Sequence, residues 1–172
     1  MANIGINHFV TNFTQGGYRP SLFEVIFPFA GVKTTMLCKT ASLPAATLGM
    51  PDVSYMGRKV KLAGDREFAS WTTDFYEDLD FVNRAYLEKW HDAMNKFEEN
   101  TGFVKPIDYL QDIQFNLLSH ESGNTVRSYK MYKAFPTEVG EIAVGYDQAD
   151  TVAEFSVTWE FNWWQEIPVS GS

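Results

Sequence analysis

From Leu79 to Glu99, apolar residues recur at steps of three and four: Leu79, Val82, Tyr86, Trp90, Ala93, Met94 and Phe97. That spacing gathers them on one face of a 3.6-residue helix and leaves Arg84, Glu88, His91, Asp92, Asn95 and Lys96 on the other. Asp80 is placed to cap its start, and Gly102 lies just beyond its expected end. No other stretch repeats with helical spacing, so the surface that buries this stripe is expected to be sheet. The last long run alternates strictly. Ala153, Phe155, Val157, Trp159, Phe161 and Trp163 face one way and Glu154, Ser156, Thr158, Glu160 and Asn162 the other, the pattern of a half-buried antiparallel strand. Its length exceeds the usual five or six residues or so, which raises the question of an edge left for another chain.

Asp112–Leu118 alternates in the same way, with Ile113, Phe115 and Leu117 opposed to Asp112, Gln114 and Asn116. Beyond the His120–Asn124 turn, Val126–Lys133 is expected to return as its hairpin partner. Leu22–Phe29 and Thr34–Thr40 are β-rich and predict a hairpin around Ala30–Lys33. Val53–Met56 and Arg58–Ala63 predict a second. Ala63–Arg66 is read as a turn, Trp71–Tyr76 as a strand, and Pro136–Gly140 as a bend. Residues 1–20 form a polar arm and the chain ends in a short tail, residues 165–172, around one domain spanning 1–172. The fold class is mainly β: an antiparallel sandwich or barrel with one amphipathic helix packed on it.

Ser42–Ala63 is long and apolar for a connection, with Leu43, Leu48, Met50, Val53, Tyr55, Met56 and Val60. These residues belong either to ordinary core strands or to a surface buried between subunits. Charge narrows the partners. The net charge of −8 disfavours any grip on nucleic acid that works by neutralising phosphates. One cysteine, Cys38, leaves no internal disulfide and no cysteine-based zinc motif. No secretory leader is expected in Met1–Thr14, and no run nears the ~20 apolar residues of a membrane helix.

Candidate chemistry is sparse. His8, His91 and His120 sit near no nucleophile and show no metal-ligand spacing. Asp74, Glu77, Asp78 and Asp80 lack the glycine and oxygen-ligand spacing of a calcium loop. No catalytic residue, cofactor or metal is expected.

Several pieces, in order along the chain, carry a resemblance. They are Arg19-Pro20 with Leu22–Val25, Cys38–Ala45, Gly57–Phe68 with Trp71-Thr72, Pro136–Ile142, and Phe155–Thr158. The Leu-Pro-Ala, Ala-Gly-Asp-Arg (around Gly64, Asp65 and Arg66) and Pro-Thr-x-Val-Gly pieces are the most specific. Together the chain resembles the tail tube proteins of contractile-tailed bacteriophages. The N-terminal arm, Asn100–Leu110 and the residues after Trp164 depart from the pattern.

The resemblance implies six-subunit rings stacked into a hollow tube that conducts DNA into the host during ejection. The implied partners are other copies of the chain, the tail sheath protein, baseplate and tail-terminator proteins, and the tape measure protein and DNA, held in the lumen without specific binding. No membrane partner is implied, and the location is the virion tail, assembled in host cytoplasm. Leu43, Leu48, Met50, Val53, Tyr55, Met56, Arg58, Lys59 and Lys61 become the expected contacts between subunits and rings. Asp112, Gln114, Asn116, Glu154 and Glu160 become candidates for the lumen wall, although Glu154 and Glu160 fit a plain solvent-facing surface equally well. The tube of a contractile bacteriocin or type VI secretion system is the related alternative. A monomeric β-sandwich that binds carbohydrate through exposed Trp and Tyr is the alternative of a different class.

Overall fold

A computed structural model describes residues 11, 17–27, 31–96, 98–99, 101–148 and 150–169, with the side chains of 31–33 excepted. In order, the chain forms β1 (Phe23–Ile26), α1 (Gly31–Met36), β2 (Cys38–Ala41), β3 (Ala46–Leu48), β4 (Asp52–Tyr55), β5 (Arg58–Lys61), β6 (Arg66–Phe68) and β7 (Trp71–Tyr76). Then follow α2 (Val82–Met94), a 3-10 turn (Pro106–Asp108), β8 (Gln111–Leu118), β9 (Thr125–Val139), β10 (Glu154–Glu160) and β11 (Trp163–Ile167). Seven strands make one antiparallel sheet in the order β1-β8-β9-β10-β7-β2, with β11 also on β9. The mainly-β architecture with one long helix is the one the alternation and the helical stripe predict.

β9 is the spine. Its first part pairs with β8 and β11, and Phe135–Val139 pairs with β10. Between the two parts Lys133 takes φ +56°, a left-handed conformation that costs a non-glycine residue about 1 kcal/mol or more. Asp112 holds this bend: its Oδ1 accepts the Lys133 N–H at 3.1 Å and its Oδ2 lies 3.0 Å from Lys130 Nζ. The sheet folds at the bend into two halves, β1-β8-β9-β11 and β9-β10-β7-β2. Their inner faces bury Val25, Ile113, Phe115 and Met131 from one half with Trp71, Phe75, Val157 and Trp159 from the other in a single cluster.

Partial burial pushes the Asp112 carboxyl up, but the Lys133 N–H and the Lys130 ammonium outweigh it and hold it below the ordinary 3.8. A depressed carboxyl stabilises the fold above its unfolded value and loses that contribution as pH falls through its folded one. Asp112→Asn is therefore expected to cost about 1 kcal/mol or less at pH 7, solvent screening the pair, with the difference from wild type shrinking towards pH 3. Urea titrations at the two pH values check it; equal differences at both would count against the carboxylate as the clamp.

Local expectations give way to long-range packing at several places. The Leu22–Phe29/Thr34–Thr40 hairpin does not form. β1 pairs with β8, placing Val25 opposite Phe115, while β2 pairs with β7. Residues 28–30 lie outside the described residues, and Thr34–Met36 are helical. Phe27, stacked on Trp159 at 5.5 Å and tilted against Phe75 at 5.4 Å, gains more from the distant core than from a local turn.

Pro136 does not bend the chain away, since β9 runs through it to Val139. The ladder shifts register at Thr158/Trp159, opposite Pro136, where a missing N–H is tolerated, and the Pro136 carbonyl lies 3.0 Å from His91 Nε2.

The final run is not one strand either. β10 ends at Glu160, Asn162 N–H donates to the Tyr132 carbonyl at 3.1 Å, and β11 restarts with Trp163 38% exposed. β10 is paired on both sides, by β7 and β9, so it offers no edge to another chain.

The helix is shorter than Leu79–Glu99, and its buried face is turned. Asn83, Leu87 and Trp90 are buried, with Tyr86 and Met94 packed beside them, whereas Leu79 is 95% exposed and Val82 is exposed. Phe97 lies outside the described residues. The start is fixed by two carboxylates: Asp80 Oδ1 accepts the Val82 N–H at 3.3 Å, and the buried Glu77 accepts that of Arg84 at 3.1 Å. After the helix, Gly102 passes so close that a Cβ would lie 1.9 Å from the Met94 carbonyl oxygen. Only glycine fits there.

Candidate functional site

Between β2 and β7 most of the chain leaves the core, although Phe68 packs against it. β3 pairs with β6 and β4 with β5, making two short ladders of one long hairpin. At the tip, Met56 and Gly57 both have positive φ, +47° and +78°. A two-residue hairpin turn needs that geometry to match strand twist. Midway, Gly49 N–H donates to Asp65 O and Gly64 N–H to Gly49 O, both at 2.7 Å. A Cβ on Gly64 would sit 2.8 Å from Pro51 Cδ. The Gly64-Asp65-Arg66 segment is thus the waist of a ribbon, not the turn its composition predicts: two glycines let the strands approach, and the chain continues into β6. At the base, Pro44 is buried, the Trp71 indole donates to Ser42 O at 2.6 Å, and that of Trp164 donates to Ala45 O at 3.3 Å.

The ribbon has two faces. Cross-strand partners Val53/Val60 and Tyr55/Arg58 share one, and Asp52/Lys61 and Ser54/Lys59 the other, with Lys59 Nζ 3.6 Å from Asp52. None of it is core. Leu43, Leu48, Met50, Val53, Tyr55, Met56, Arg58, Lys59 and Lys61 are all exposed, Tyr55 at 67% and Met56 at 87%. The reading of this segment as ordinary core strands is therefore set aside. A two-stranded ribbon is marginal in water on its own, and this one carries a contiguous run of apolar side chains.

The five polar residues expected along a lumen do not lie together. Asp112, Gln114 and Asn116 are on the outer face of the β1-β8-β9-β11 half, and Glu154 and Glu160 on that of the other half. Asn116 is 4% exposed: its amide nitrogen donates to Glu24 at 3.2 Å and its oxygen accepts Ser128 Oγ at 2.6 Å and Gln114 Nε2 at 2.9 Å. These groups are spent on one another. On the other half, Thr72, Asp74, Ser156, Thr158 and Glu138 share a face with Glu154 and Glu160 through cross-strand pairing. Lys39 is ion-paired to Glu154, and Thr40 donates to Asp74. Glu138 is the acid that pattern reading passed over, because the expected bend at Pro136 hid its place in a strand.

The thiol of Cys38 is pushed up to about 12 by burial, with Asp74 adding to the rise, so it stays protonated. His91 faces the Pro136 carbonyl, and His120 Nε2 lies 2.6 Å from Arg19 Nη1. His8 lies outside the described residues. Among the described residues no group of three or more His, Cys, Asp or Glu is placed to hold a metal ion, and no helix is long and apolar enough to cross a membrane.

Comparison with known proteins gives relatives in sequence and in fold. The chain is 29% identical over 155 residues to tail tube protein gp19 of Enterobacteria phage T4, covering 89% of this chain and 94% of that one. It is 24% identical over 121 residues to the tail tube protein of Serratia phage KSP90, covering 70% and 68%. In fold it is similar to a chain of the sheath–tube complex of an extracellular contractile injection system, PVC, with a TM-score of 0.66 at 13% identity over 92% of this chain and 97% of that one. The family model described as phage tail tube protein matches residues 3–167, and the chain belongs to that family.

Proposed function

We propose that copies of this chain form six-membered rings that stack into the hollow tube of a contractile phage tail, through which DNA passes during ejection. The observation that carries this reading is the Leu48–Leu62 ribbon: an apolar, exposed hairpin that the rest of the described residues do not cover. Leu43, Leu48, Met50, Val53, Tyr55, Met56, Arg58, Lys59 and Lys61 are then contacts between copies. Residues 1–172 act as one unit, with the ends of the chain, the sheath, the tail terminator and the baseplate meeting at its outer and terminal surfaces.

Of the two polar faces, we assign the lumen to β2-β7-β10-β9. It presents Asp74, Glu138, Glu154 and Glu160 against the single cation Lys39 among its described residues, and the rest is mostly Thr and Ser. Phosphates sliding past such a wall meet no run of cations whose neutralisation would hold them. The tape measure protein and DNA are cargo there, not bound ligands. The face bearing Asp112, Gln114 and Asn116 also carries Lys130, and it is assigned to the outside of the ring.

Glu138→Lys with Glu160→Lys removes two carboxylates and adds two cations, a change of +4 per copy to the wall. The expected result is tubes of normal appearance by electron microscopy and a fall in plaque-forming titre of at least tenfold, with DNA left in the tail. Normal ejection would reject the lumen assignment. The residues chosen spare the Lys39–Glu154 pair, so folding is not at stake.

A further inference from the structure

Resting on that tube reading, we infer that the outer face holds the sheath at a site built around Tyr132, Lys133 and Trp163, which takes a segment carrying a carboxylate beside an apolar side chain. β9 is bulged here. Gln111 pairs with Ala134 and Ile113 with Met131, so Asp112 alone stands opposite both Tyr132 and Lys133. In a regular strand successive side chains point to opposite faces, and Lys133 would turn away from Tyr132. The bulge and the left-handed φ of Lys133 bring it back, with its Nζ 5.5 Å from the centre of the Trp163 ring. Bulges re-aim side chains in this way, and strained residues gather at binding sites. The result is a short column: Lys130 Nζ lies 4.9 Å from the Tyr132 ring centre, Tyr132 stacks on Trp163 at 5.3 Å, and Lys133 lies over Trp163. Gln165 Nε2 donates to the Tyr132 hydroxyl at 2.9 Å and fixes it. Neither ring belongs to the buried cluster or packs against it. The strain at Lys133 serves a surface, not the interior.

Charge and shape select the occupant. Beside the column, Pro106, Ile107, Leu110 and Trp163 line a groove of about 630 Å³, and Ile107 is 75% exposed. Lys130 and Lys133 face it against one carboxylate, Asp112, which is engaged by Lys130 Nζ and the Lys133 N–H. The Lys133 ammonium forms no ion pair among the described residues. An Asp or Glu beside a Leu, Ile or Phe answers both features: the carboxylate meets the ammonium and the apolar side chain fills the groove. Tryptophan and tyrosine are the residue types that dominate such contacts. A sugar fits less well, because the indole already has Tyr132 stacked on it and an ammonium over it and is no bare platform. Position leaves the sheath as the partner. The column stands on the face turned away from the assigned lumen, and in a closed ring an outward face meets no sister copy. Each copy presents one such site, so the sheath is expected to bind one for one.

The test sediments tubes of the purified chain with the sheath protein of the same virion. Lys133→Met keeps the N–H that Asp112 accepts and removes only the ammonium, while Ile107→Asp sets a carboxylate in the groove. Both variants are expected to form tubes of native appearance and to carry down about tenfold less sheath or lower. Lys133→Arg, which keeps the cation, should carry nearly the native amount. Native binding should weaken as salt is raised, whereas what remains with Lys133→Met should not. If Lys133→Met and Ile107→Asp tubes carry the native amount of sheath, the sheath docks elsewhere, and this inference is overturned with the tube reading intact. If either variant stays folded by circular dichroism but forms no tubes, the face lies between copies, which overturns it equally. Failure of the native chain to form tubes would remove the tube reading and this inference together.

Discussion

Replacing Gly49–Asp65 by an Asn-Gly turn, so that Leu48 leads straight back to Arg66, is expected to leave a folded chain that no longer forms tubes. Leu48 and Arg66 are already Cα partners, and Asn-Gly supplies the positive φ values that a two-residue hairpin needs. The base stays in place, with the Phe68 ring tilted against that of Phe161 at 5.9 Å. Nothing deleted belongs to the buried cluster, so stability should change by about 1 kcal/mol or less. Assembly should change completely. Met50, Val53, Tyr55, Met56, Val60 and Leu62 are each about half or more exposed in one copy, and finishing their burial against a neighbour is worth roughly 1 kcal/mol each. That sum is comparable with the 4–15 kcal/mol or so of lost freedom that association must offset. Light scattering should report a monomer at concentrations where the native chain polymerises. Tubes formed by the shortened chain would refute the ribbon's role, and with it the observation on which the tube reading stands.

What could be read beforehand follows from the range of the interactions involved. Phe155, Val157, Trp159 and Phe161 alternate because one face of β10 is buried, and that period survives into the fold. The Val53–Val60 hairpin is legible because Met56-Gly57 closes it within a few residues. Pairings between distant segments leave no such local mark. β1 finds β8 some ninety positions away, and only the match of Val25 to Phe115 and of Phe27 to Trp159 explains why. The helix face was misjudged for a similar reason. Leu79 and Val82 satisfy the period, but Leu79 lies before α2 begins and it is Asn83, Leu87 and Trp90 that turn inward, where Trp90 meets Trp159 of the distant β10. Glycines carried double meanings: Gly64 looked like a turn and is a close approach, as Gly102 and Gly140 are. The exposed apolar ribbon is visible as surplus hydrophobicity, while its separation from the core depends on the pairing of β3 with β6 and β4 with β5.

Trp159→Ala is expected to be the most damaging single substitution, costing about 3–5 kcal/mol of a total stability that for domains of this kind is about 5–15 kcal/mol. The indole is 1% exposed and touches what each part of the chain contributes: Phe27 at 5.5 Å from the segment after β1, Trp90 at 5.9 Å from α2, and Thr73 of β7, whose hydroxyl accepts its N–H at 2.9 Å. Truncation opens a cavity where helix and both sheet halves meet, and strips the fully buried Thr73 hydroxyl of this bond, an added cost of about 1–3 kcal/mol. Trp163→Ala removes the same chemistry from a different setting. Its ring stacks on Tyr132 at 5.3 Å, but on the outer face of β11 at 38% exposure, so the expected cost is about 1 kcal/mol. Urea unfolding should be run on the ribbon-shortened chain, because polymerisation would otherwise stabilise the folded state by mass action and mask the difference. Similar costs for the two tryptophans would mean that Trp159 is not where the layers converge. A large gap locates the centre of the fold at Trp159 of β10, whose cross-strand partner Trp71 stands at the root of the ribbon, so the hairpin projects from the core without contributing to it.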